Sequence, residues 1–260
     1  MLQFEKSIIE LLKTNNIEHT FNSAAHLLST ESLNIQFFSN CSSNDEYKSV
    51  VDNLNHDVFT LKLWEDIYMS HAQVVNSRIL SMLGISKRIY ARSTVIEAIS
   101  QIEIDGFLKT NHLNITTKVK YKFGMFHKQK LVAVAAFGRS CPIQSDGITY
   151  RSHELIRYCS LLNHTVVGGL SKFIHHFVKE FKPEHIMTYV DREWSVGKSY
   201  QKIGFKIDSY SSPQVFWLSP DDCIRYYSAE LFKTKTREQL QEAGWRSIEN
   251  LGNIKLVKFI

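Results

Sequence analysis

Hydrophobic positions follow a helical period at both ends of the first 83 residues, a segment that contains neither glycine nor proline. Apolar residues recur at intervals of three and four around residues 4–12 and again around 75–83, which predicts two amphipathic helices. Between them, VFTLKLW at 58–64 alternates and contains β-branched residues, which predicts a strand. The N-terminal part is therefore predicted to combine helices with at least one strand.

The pattern becomes richer in strands from Lys118 onward. KVKYKFGMF alternates, HKQK is a polar turn and LVAVAAFG is wholly apolar, so we predict a hairpin whose second strand is buried on both faces. ELIRYCSL and HIMTYV predict two further strands, and residues 170–181 between them have apolar positions at helical spacing. KSYQKIGF is predicted to be a short helix that Gly204 ends, so the order is β–β–β–loop–α–β–α–β.

Further elements are predicted from capping residues and spacing. Ser93 and Thr94 can cap a helix, and apolar residues follow at 96, 99, 102 and 107, so we predict that a helix begins there. The tail contains a predicted helix in TREQLQEAGW and a last strand in NIKLVKFI. The whole pattern is typical of the α/β fold class.

The composition restricts the class of protein. Of the 260 residues, 43% are hydrophobic, as expected for one large or two small globular domains. No apolar run approaches the roughly 20 residues of a membrane span, and Glu5 and Glu10 interrupt the N-terminal apolar stretch, which argues against a secretory signal. The four cysteines are far apart and form no CxxC, so we expect free thiols in a cytoplasmic protein.

The positive charge of the chain permits an acidic partner. The formal net charge is +5, and basic and aromatic residues interleave in KVKYKF, a mixture that suits phosphate contacts and base stacking. The lysines and arginines are scattered, however, and the same mixture suits any exposed strand. DNA or another nucleic acid is thus one expected partner, and a basic surface without such a partner is the alternative.

The first candidate for chemistry is the glycine pair Gly168-Gly169 in NHTVVGGLSKFIHHF. The first N–H groups of a helix lack internal partners and carry the positive end of the helix dipole. Glycine lets a phosphate approach the backbone, so this loop suits a pyrophosphate. A tight turn is the alternative reading, because both GxGxxG and the full GxxxxGK[ST] are absent.

The order of elements, together with VVGGLSK and SYQKIGF, resembles the GNAT acyltransferase superfamily. The resemblance implies a mixed central sheet flanked by helices, and a loop that holds the pyrophosphate of acetyl-CoA or another acyl-CoA. The residues implied for this cofactor-binding loop are Val166, Val167, Gly168, Gly169, Leu170, Ser171 and Lys172. Tyr200 matches the tyrosine of the family's "LYEKLGF" helix, which often protonates the departing thiolate. The arginine or glutamine that usually opens the loop is missing here.

The same resemblance implies a cleft between the strands ELIRYCSL and HIMTYV. A backbone N–H of the first strand would polarise the thioester carbonyl, and Tyr200 would be the general acid. An amine acceptor also needs a base, and His153 and Glu154 near the strand start are the candidates. The alternatives are that Tyr200 packs on the sheet and that His153 and Glu154 form an ordinary solvated strand end.

A second resemblance covers residues 58–260. The stretches LKLWEDIY, SRILSMLG, IYARSTVI, FLKTNHLN, FGMFHKQKLVAVAAFG and TYVDREWSVGKSYQKIGF are similar to phage-encoded homing-endonuclease-like proteins. Those proteins couple a segment similar to very-short-patch repair endonucleases to a GNAT-like half. The resemblance implies a reduced nuclease-like α/β segment at 1–85, a GNAT-like domain at 86–260 and, for a phage protein, a bacterial host cell. Asn111 and His112 lie in the family's "NHL", which implies a substrate-side position, with helix capping as the alternative.

The nuclease segment departs from its family at the position of a metal ligand. The family's "LAIEFNGLYWHS" corresponds to LNIQFFSNCSS, so Gln36 supplies a neutral amide where an anionic ligand is needed. Glu65 and Asp66 remain, with His56 and Asp57 nearby, but no metal site is predicted.

Three functions are therefore open. The first is acyl-CoA-dependent transfer to an amine, on a nucleic acid or a nucleic-acid-associated substrate. The second is a DNA-binding or protein-interaction module whose two ancestral active sites have eroded. The third is a surviving nuclease.

Overall fold

The chain folds into two units, each assembled from separate stretches of sequence. The computed structural model describes residues 1–54, 57–114, 118–145 and 147–260. The first unit comprises Met1–Ala72, Asp191–Val196 and Ser211–Asn253, and the second comprises Gln73–Val190, Gly197–Tyr210 and Ile254–Ile260.

Helices and strands both occur throughout the described residues. The helices are α1 (Gln3–Thr14), α2 (Asn44–Asp52), α3 (Glu65–Met82), α4 (Gln101–Asn111), α5 (Gly169–Phe181), α6 (Lys198–Gln201), α7 (Ser228–Leu231) and α8 (Arg237–Glu242), with a 3₁₀ turn at Ala91–Ser93. The strands are β1 (Thr20–Asn22), β2 (Leu27–Ser29), β3 (Asn34–Phe38), β4 (Thr60–Trp64), β5 (Lys87–Tyr90), β6 (Val95–Ala98), β7 (Tyr121–His127), β8 (Lys130–Phe137), β9 (Cys141–Ser145), β10 (Ile148–Ser160), β11 (His164–Val167), β12 (His185–Asp191), β13 (Lys206–Tyr210), β14 (Val215–Leu218), β15 (Arg225–Tyr227), β16 (Arg246–Glu249) and β17 (Asn253–Phe259).

The longest helix, α3, is interrupted at His71, whose backbone angles (φ −139°, ψ 36°) are not helical. The interruption lies beside Ala72, where the first stretch of the first unit ends. The segment predicted to be helical around 75–83 is the part of α3 that follows the interruption. In the part of the chain that the structure describes, no helix has the length and apolar character needed to cross a membrane.

The first unit contains two small sheets. One has the order β1-β2-β3-β4, in which β3 and β4 run parallel, and the other has the order β15-β14-β16. The strand predicted in VFTLKLW is confirmed as β4. The helix α1 buries Phe4, Ile8 and Leu12, whose spacing of four places them on one face.

The second unit is built on one large mixed sheet. Its strand order is β13-β17-β12-β10-β8-β7-β6, and β9 also pairs with β10. The predicted hairpin is confirmed, because β7 and β8 pair in antiparallel fashion. The pair β10–β12 is parallel whereas β10–β8 is antiparallel, so the sheet is mixed, as predicted.

Helices cover both faces of this sheet. On one face α5 buries Phe173 and Phe177, and the Phe177 ring stacks on Phe137 of β8 with a centroid distance of 3.9 Å. On the other face α4 packs through Ile104 and Leu108 against a cluster that includes β8 and β10 residues. Each buried phenylalanine or leucine is worth about 1.5–3 kcal/mol, so both helices are held by apolar burial. The prediction of a central mixed sheet flanked by helices is confirmed.

One extra residue in β10 sets the direction of its side chains. The register with β8 shifts between Leu155 and Arg157, which makes Ile156 a β-bulge. In a regular strand Leu155 and Tyr158 would point to opposite faces, because they are three residues apart. The extra residue lets both side chains face α5, where they contact the same core.

The prediction that a helix begins at Ser93 and Thr94 is wrong. Val95–Ala98 forms the strand β6, which pairs with β7, and the helix begins only at Gln101. The Ser100 hydroxyl accepts a hydrogen bond from the Glu103 N–H, and the Glu103 carboxylate accepts one from the Ser100 N–H. This reciprocal capping box fixes the true helix start.

Candidate functional site

The pairing of β10 and β12 ends partway along both strands, and the gap beyond the last pair is the candidate cleft. Their parallel ladder joins Ser152 to His185, His153 to Ile186 and Glu154 to Met187. Immediately beyond it, the Thr188 hydroxyl donates a hydrogen bond of 2.8 Å to the Leu155 carbonyl. A side chain thus takes the place of a backbone ladder bond, while β10 and β12 continue to Ser160 and Asp191.

Tyr200 reaches this cleft from α6. Its ring packs edge-on against Phe205 with a centroid distance of 5.6 Å, so the packing expected as the alternative is present. Its hydroxyl lies close to that of Thr188, which lowers the pKa of Tyr200, but burial outweighs this and raises the pKa to about 12. The phenol therefore holds its proton at Oη throughout the physiological pH range.

A second phenol, Tyr158, lies in the same region. Its hydroxyl lies against Gly169 at the start of α5, and burial raises the pKa of Tyr158. Burial is the largest cause of the raised Tyr200 pKa, and the Tyr158 side chain is the next. The two phenols therefore interact electrostatically. A Cβ on Gly169 would lie 2.7 Å from the Tyr158 hydroxyl oxygen, which explains the glycine. The sequence pattern alone did not single out Tyr158 or Thr188.

The two glycines of the loop before α5 differ in exposure to solvent. Gly168 is exposed and left-handed (φ 79°), and a Cβ there would meet only Ala91 Cβ, at 3.6 Å. Gly169 is buried beneath Tyr158. The first helical hydrogen bond runs from the Lys172 N–H to the Gly168 carbonyl, so the N–H groups of 169–171 precede it.

The remaining loop residues have distinct surroundings. Val166 is buried and Val167 is 41% exposed, both on β11, which pairs in parallel with β5. Ser171 is exposed on the first turn of α5. The Lys172 ammonium donates to the carbonyls of Ala91 and Thr94, so its charge is committed to the turn at 91–94. Lys172 therefore positions the loop through that turn.

The two candidate bases lie on opposite faces of the sheet. His153 is 5% exposed, its ring is 5.1 Å from that of Phe177, and its Nδ1 lies 3.1 Å from the Gly138 carbonyl oxygen. Glu154 is half-buried and, by alternation along the strand, faces away from α5. Burial raises the pKa of Glu154, and the Arg157 guanidinium acts in the opposite direction.

Asn111 and His112 lie at the C-terminal end of α4. The Asn111 amide nitrogen donates to the Phe107 carbonyl at 2.7 Å, and its amide oxygen accepts from the Leu162 N–H at 2.8 Å. The His112 Nδ1 accepts from the Asn114 N–H at 2.9 Å. The side-chain amide of Asn111 thus fastens α4 to the segment after β10, as in the capping alternative.

The polar residues at the metal position that the nuclease resemblance implies form hydrogen bonds within the protein. The Gln36 Nε2 donates to the carbonyls of Ala25 and His26, at 2.8 and 3.2 Å. Asp66 accepts two hydrogen bonds from the Arg225 guanidinium, at 2.5 and 2.7 Å, and the Glu65 carboxylate accepts from the Asn40 N–H. His56 lies outside the described residues. Among those that are described, no group of three or more His, Cys, Asp or Glu side chains is arranged to hold a metal ion.

A buried acid, Glu193, forms the centre of another polar cluster in the first unit. Its Oε1 accepts hydrogen bonds from the Tyr47 hydroxyl at 2.6 Å and from the Trp64 Nε1 at 3.2 Å. Burial raises the pKa of Glu193 to about 7, the Asp191 carboxylate also raises it, and the Arg225 guanidinium lowers it. The sequence did not point to this acid, because its partners are far away along the chain.

Solved structures similar to this chain include several acetyltransferases. A GNAT family acetyltransferase from Elizabethkingia anophelis with acetyl-CoA bound is 15% identical, covers 65% of this chain and 99% of its own, and has a TM-score of 0.37. The IAA acetyltransferase from Bacillus cereus ATCC 14579 is 15% identical, with coverages of 65% and 100% and a TM-score of 0.35. An acetyltransferase from Bacillus subtilis in complex with CoA is 11% identical, with coverages of 64% and 99% and a TM-score of 0.37. No protein-family model matches the sequence, and the search of curated proteins found no match.

Proposed function

We propose that the second unit is a GNAT-type N-acyltransferase that uses acetyl-CoA or another acyl-CoA and an amine acceptor. The observation that carries this proposal is the opening of β10 and β12 beyond Glu154 and Met187, with Thr188 and Tyr200 at its mouth. Such an opening suits a linear substrate arm, and the phenol beside it suits proton transfer to a leaving group. The cleft geometry, and not the likeness to solved structures, supports this function.

The loop before α5 fits the pyrophosphate of an acyl-CoA. The exposed Gly168 leaves its backbone approachable, since a Cβ there would have a single neighbour within 4 Å. The residues that would hold the cofactor are Val166, Val167, Gly168, Gly169, Leu170, Ser171 and Lys172, mainly through backbone N–H groups at the positive end of the helix. A bound acyl-CoA supplies a thioester whose C–S bond breaks as the C–N bond forms, one proton leaving nitrogen and one joining sulfur.

Two side chains of the cleft are candidates for proton transfer, one as the acid and one as the base. Tyr200 keeps its proton at Oη, because burial raises its pKa to about 12, and it is the candidate general acid. Glu154 is the candidate base for the acceptor amine, because its raised pKa brings a carboxylate closer to neutrality. The buried ring of His153 supports a packing role, so Glu154 is favoured over His153.

Binding and turnover of acetyl-CoA test the proposal. Purified protein is titrated with acetyl-CoA by calorimetry, and thiol release is measured with a panel of amines. Ser171→Asp should weaken acetyl-CoA binding, because a carboxylate on the first turn repels a pyrophosphate while it stabilises the helix. Ser171→Ala, the matched control, should bind like the wild type. Absence of binding at millimolar acetyl-CoA, with no thiol release, would overturn the proposal.

A nucleic acid or a nucleic-acid-associated molecule is the acceptor that the second sequence resemblance favours. On the same basis, a second candidate function is a homing-endonuclease-related DNA-binding or protein-interaction module without cleavage activity. The pairing of Asp66 with Arg225 and the donor role of Gln36 favour a first unit that no longer cuts DNA. Binding to duplex DNA that weakens steeply with salt, without nicking of plasmid in magnesium, would support this candidate.

A further inference from the structure

A basic cavity lies on β10 beside the bulge. It has a volume of about 290 Å³ and is lined by Lys118, Val119, Lys120, Gly138, Arg139 and Ile156. Both β8 and β9 pair with β10, and Gly138 and Arg139 belong to the short interruption between them. The cavity is therefore built into the same strand that forms one wall of the cleft.

The cavity and Glu154 share one face of the sheet. Phe137 stacks on Phe177 of α5, so a side chain at the next position, 138, points to the opposite face. The Gly138 N–H donates to the Glu154 carbonyl at 2.9 Å. A Cβ on Gly138 would lie 3.9 Å from Glu154 Cβ and 3.3 Å from Ile156 Cδ1. The candidate base thus begins at the edge of the cavity.

Three cations contribute to the lining and none of the lining residues is acidic. Within the described ranges, no ion pair involves Lys118, Lys120 or Arg139. The Lys120 ammonium lies 5.0 Å from the Tyr121 ring centroid, an interaction that leaves its positive charge uncompensated. A concave site with this charge concentrates anions.

We propose that this basic cavity binds an anionic group of the acceptor, and that the acceptor is a small amine carrying a phosphomonoester. The inference rests on the proposed acyltransferase function. A phosphomonoester has a charge of about −1.5 to −2 at pH 7, so three cations favour it over a single carboxylate. The volume of about 290 Å³ matches a small ligand or one end of it. With the phosphate in the cavity, the amine lies on the Glu154 side of the sheet.

Three acceptors of similar size separate the contributions of charge. O-phosphoethanolamine, β-alanine and ethanolamine are compared as acceptors with acetyl-CoA. We expect kcat/KM to be highest for O-phosphoethanolamine and lowest for ethanolamine, with about a tenfold difference for each charge-assisted contact. Equal values for the three acceptors would overturn the inference. Transfer only to an amine within a DNA or RNA oligonucleotide would also overturn it, since the proposed acceptor is a small molecule.

Charge reversal assigns the effect to the cavity. The triple variant Lys118→Glu, Lys120→Glu, Arg139→Glu should lose the preference for O-phosphoethanolamine but keep the KM for acetyl-CoA. The control Lys130→Glu, Lys179→Glu, Lys206→Glu changes the net charge equally at exposed positions elsewhere and should behave like the wild type. If both triple variants lose the preference to the same extent, the cavity is not the anion site.

Binding of inorganic phosphate, followed by NMR without acyl-CoA, separates this inference from the proposed function. Phosphate should perturb the amides of Gly138 and Arg139 in the wild type and the exposed-lysine control, but not in the cavity variant. If phosphate binds in this way and no amine is acylated, the acyltransferase proposal fails and the anion site stands. If amines are acylated and phosphate leaves Gly138 unperturbed, the anion site fails and the acyltransferase proposal stands.

Discussion

The Thr188 hydroxyl donates a hydrogen bond of 2.8 Å to the Leu155 carbonyl at the first position where β10 and β12 no longer pair. It therefore joins the two strands by a hydrogen bond at the start of the cleft. The Thr188 side chain also lies beside the Tyr200 phenol and lowers its pKa, so one side chain adjoins both the strand opening and the candidate acid. Thr188 is 2% exposed, which makes the loss of its hydrogen bond to Leu155 costly.

Replacing Thr188 with valine tests the contribution of its hydrogen bond to the Leu155 carbonyl. Thr188→Val keeps the shape but leaves the Leu155 carbonyl without its donor, so we expect the free energy of unfolding to fall by about 1–3 kcal/mol. Thr188→Ser retains the hydroxyl and is expected to lose less, since only a methyl group is removed. Urea unfolding of both variants measures the difference. A serine variant as unstable as the valine variant would mean that the methyl group, and not the hydrogen bond, matters.

The contact between Gly169 and Tyr158 gives a second prediction. A Cβ at 169 would lie 2.7 Å from the Tyr158 hydroxyl oxygen, so Gly169→Ala should lower the free energy of unfolding by about 1–3 kcal/mol. In a Tyr158→Phe background the penalty should shrink, because the clashing oxygen is gone. A double-mutant cycle measured by urea unfolding gives the coupling energy. Equal penalties in the two backgrounds would show that Tyr158 does not select the glycine.

The buried Glu193 predicts a pH dependence of stability. Its pKa is about 7 in the folded protein and near 4.5 in the unfolded chain, so the folded state binds the proton more tightly. This group therefore stabilises the fold fully below about pH 4.5, and the stabilisation is lost as pH rises to about 7. Glu193→Gln keeps an oxygen acceptor for Tyr47 and Trp64 but cannot titrate. Between pH 5 and 7 the wild type should lose stability relative to this variant in urea unfolding, and parallel curves would contradict the assignment.

The hydrogen bonds of Gln36 allow a prediction for a carboxylate introduced at position 36. Its Nε2 donates to two carbonyls, so in Gln36→Glu a buried carboxylate would face the oxygens of Ala25 and His26. We expect a loss of more than about 1 kcal/mol in stability and no magnesium-dependent nicking of plasmid DNA. Gln36→Met, which removes the donor without adding charge, is the control and should be the milder change. Nicking by the glutamate variant would show that a metal site is recoverable.

Elements with a strong period were predictable from the sequence, and single-residue features were not. The hairpin β7–β8 follows directly from alternation, and α5 follows from its apolar stripe. The helix start was misplaced because two capping signals lie close together: Thr94 and Ser100 each have a glutamate three residues later, and only Ser100 forms the capping box. The bulge at Ile156 has no sequence signature, so the shared orientation of Leu155 and Tyr158 required the structure.

The site was predictable to the same limited extent. Tyr200 was found because its surroundings in SYQKIGF carry a family resemblance, whereas Thr188 sits in the buried strand HIMTYV as one polar residue among apolar ones. The tertiary partner of Thr188, the Leu155 carbonyl, is 33 residues away along the chain. Lys172 was expected near a phosphate, but its carbonyl partners at 91 and 94 lie about 80 residues earlier and leave no trace in local patterning.

The most direct measurement is the turnover of acetyl-CoA with an amine acceptor by Tyr200→Phe. A general acid contributes a factor of about 10²–10⁴, so the variant should lose at least about 100-fold in kcat at neutral pH while it still binds acetyl-CoA. Tyr210→Phe, an exposed tyrosine on β13, is the control and should retain full activity. Wild-type turnover in Tyr200→Phe, with acetyl-CoA bound equally well, would contradict the account of the cleft as an acyltransferase site.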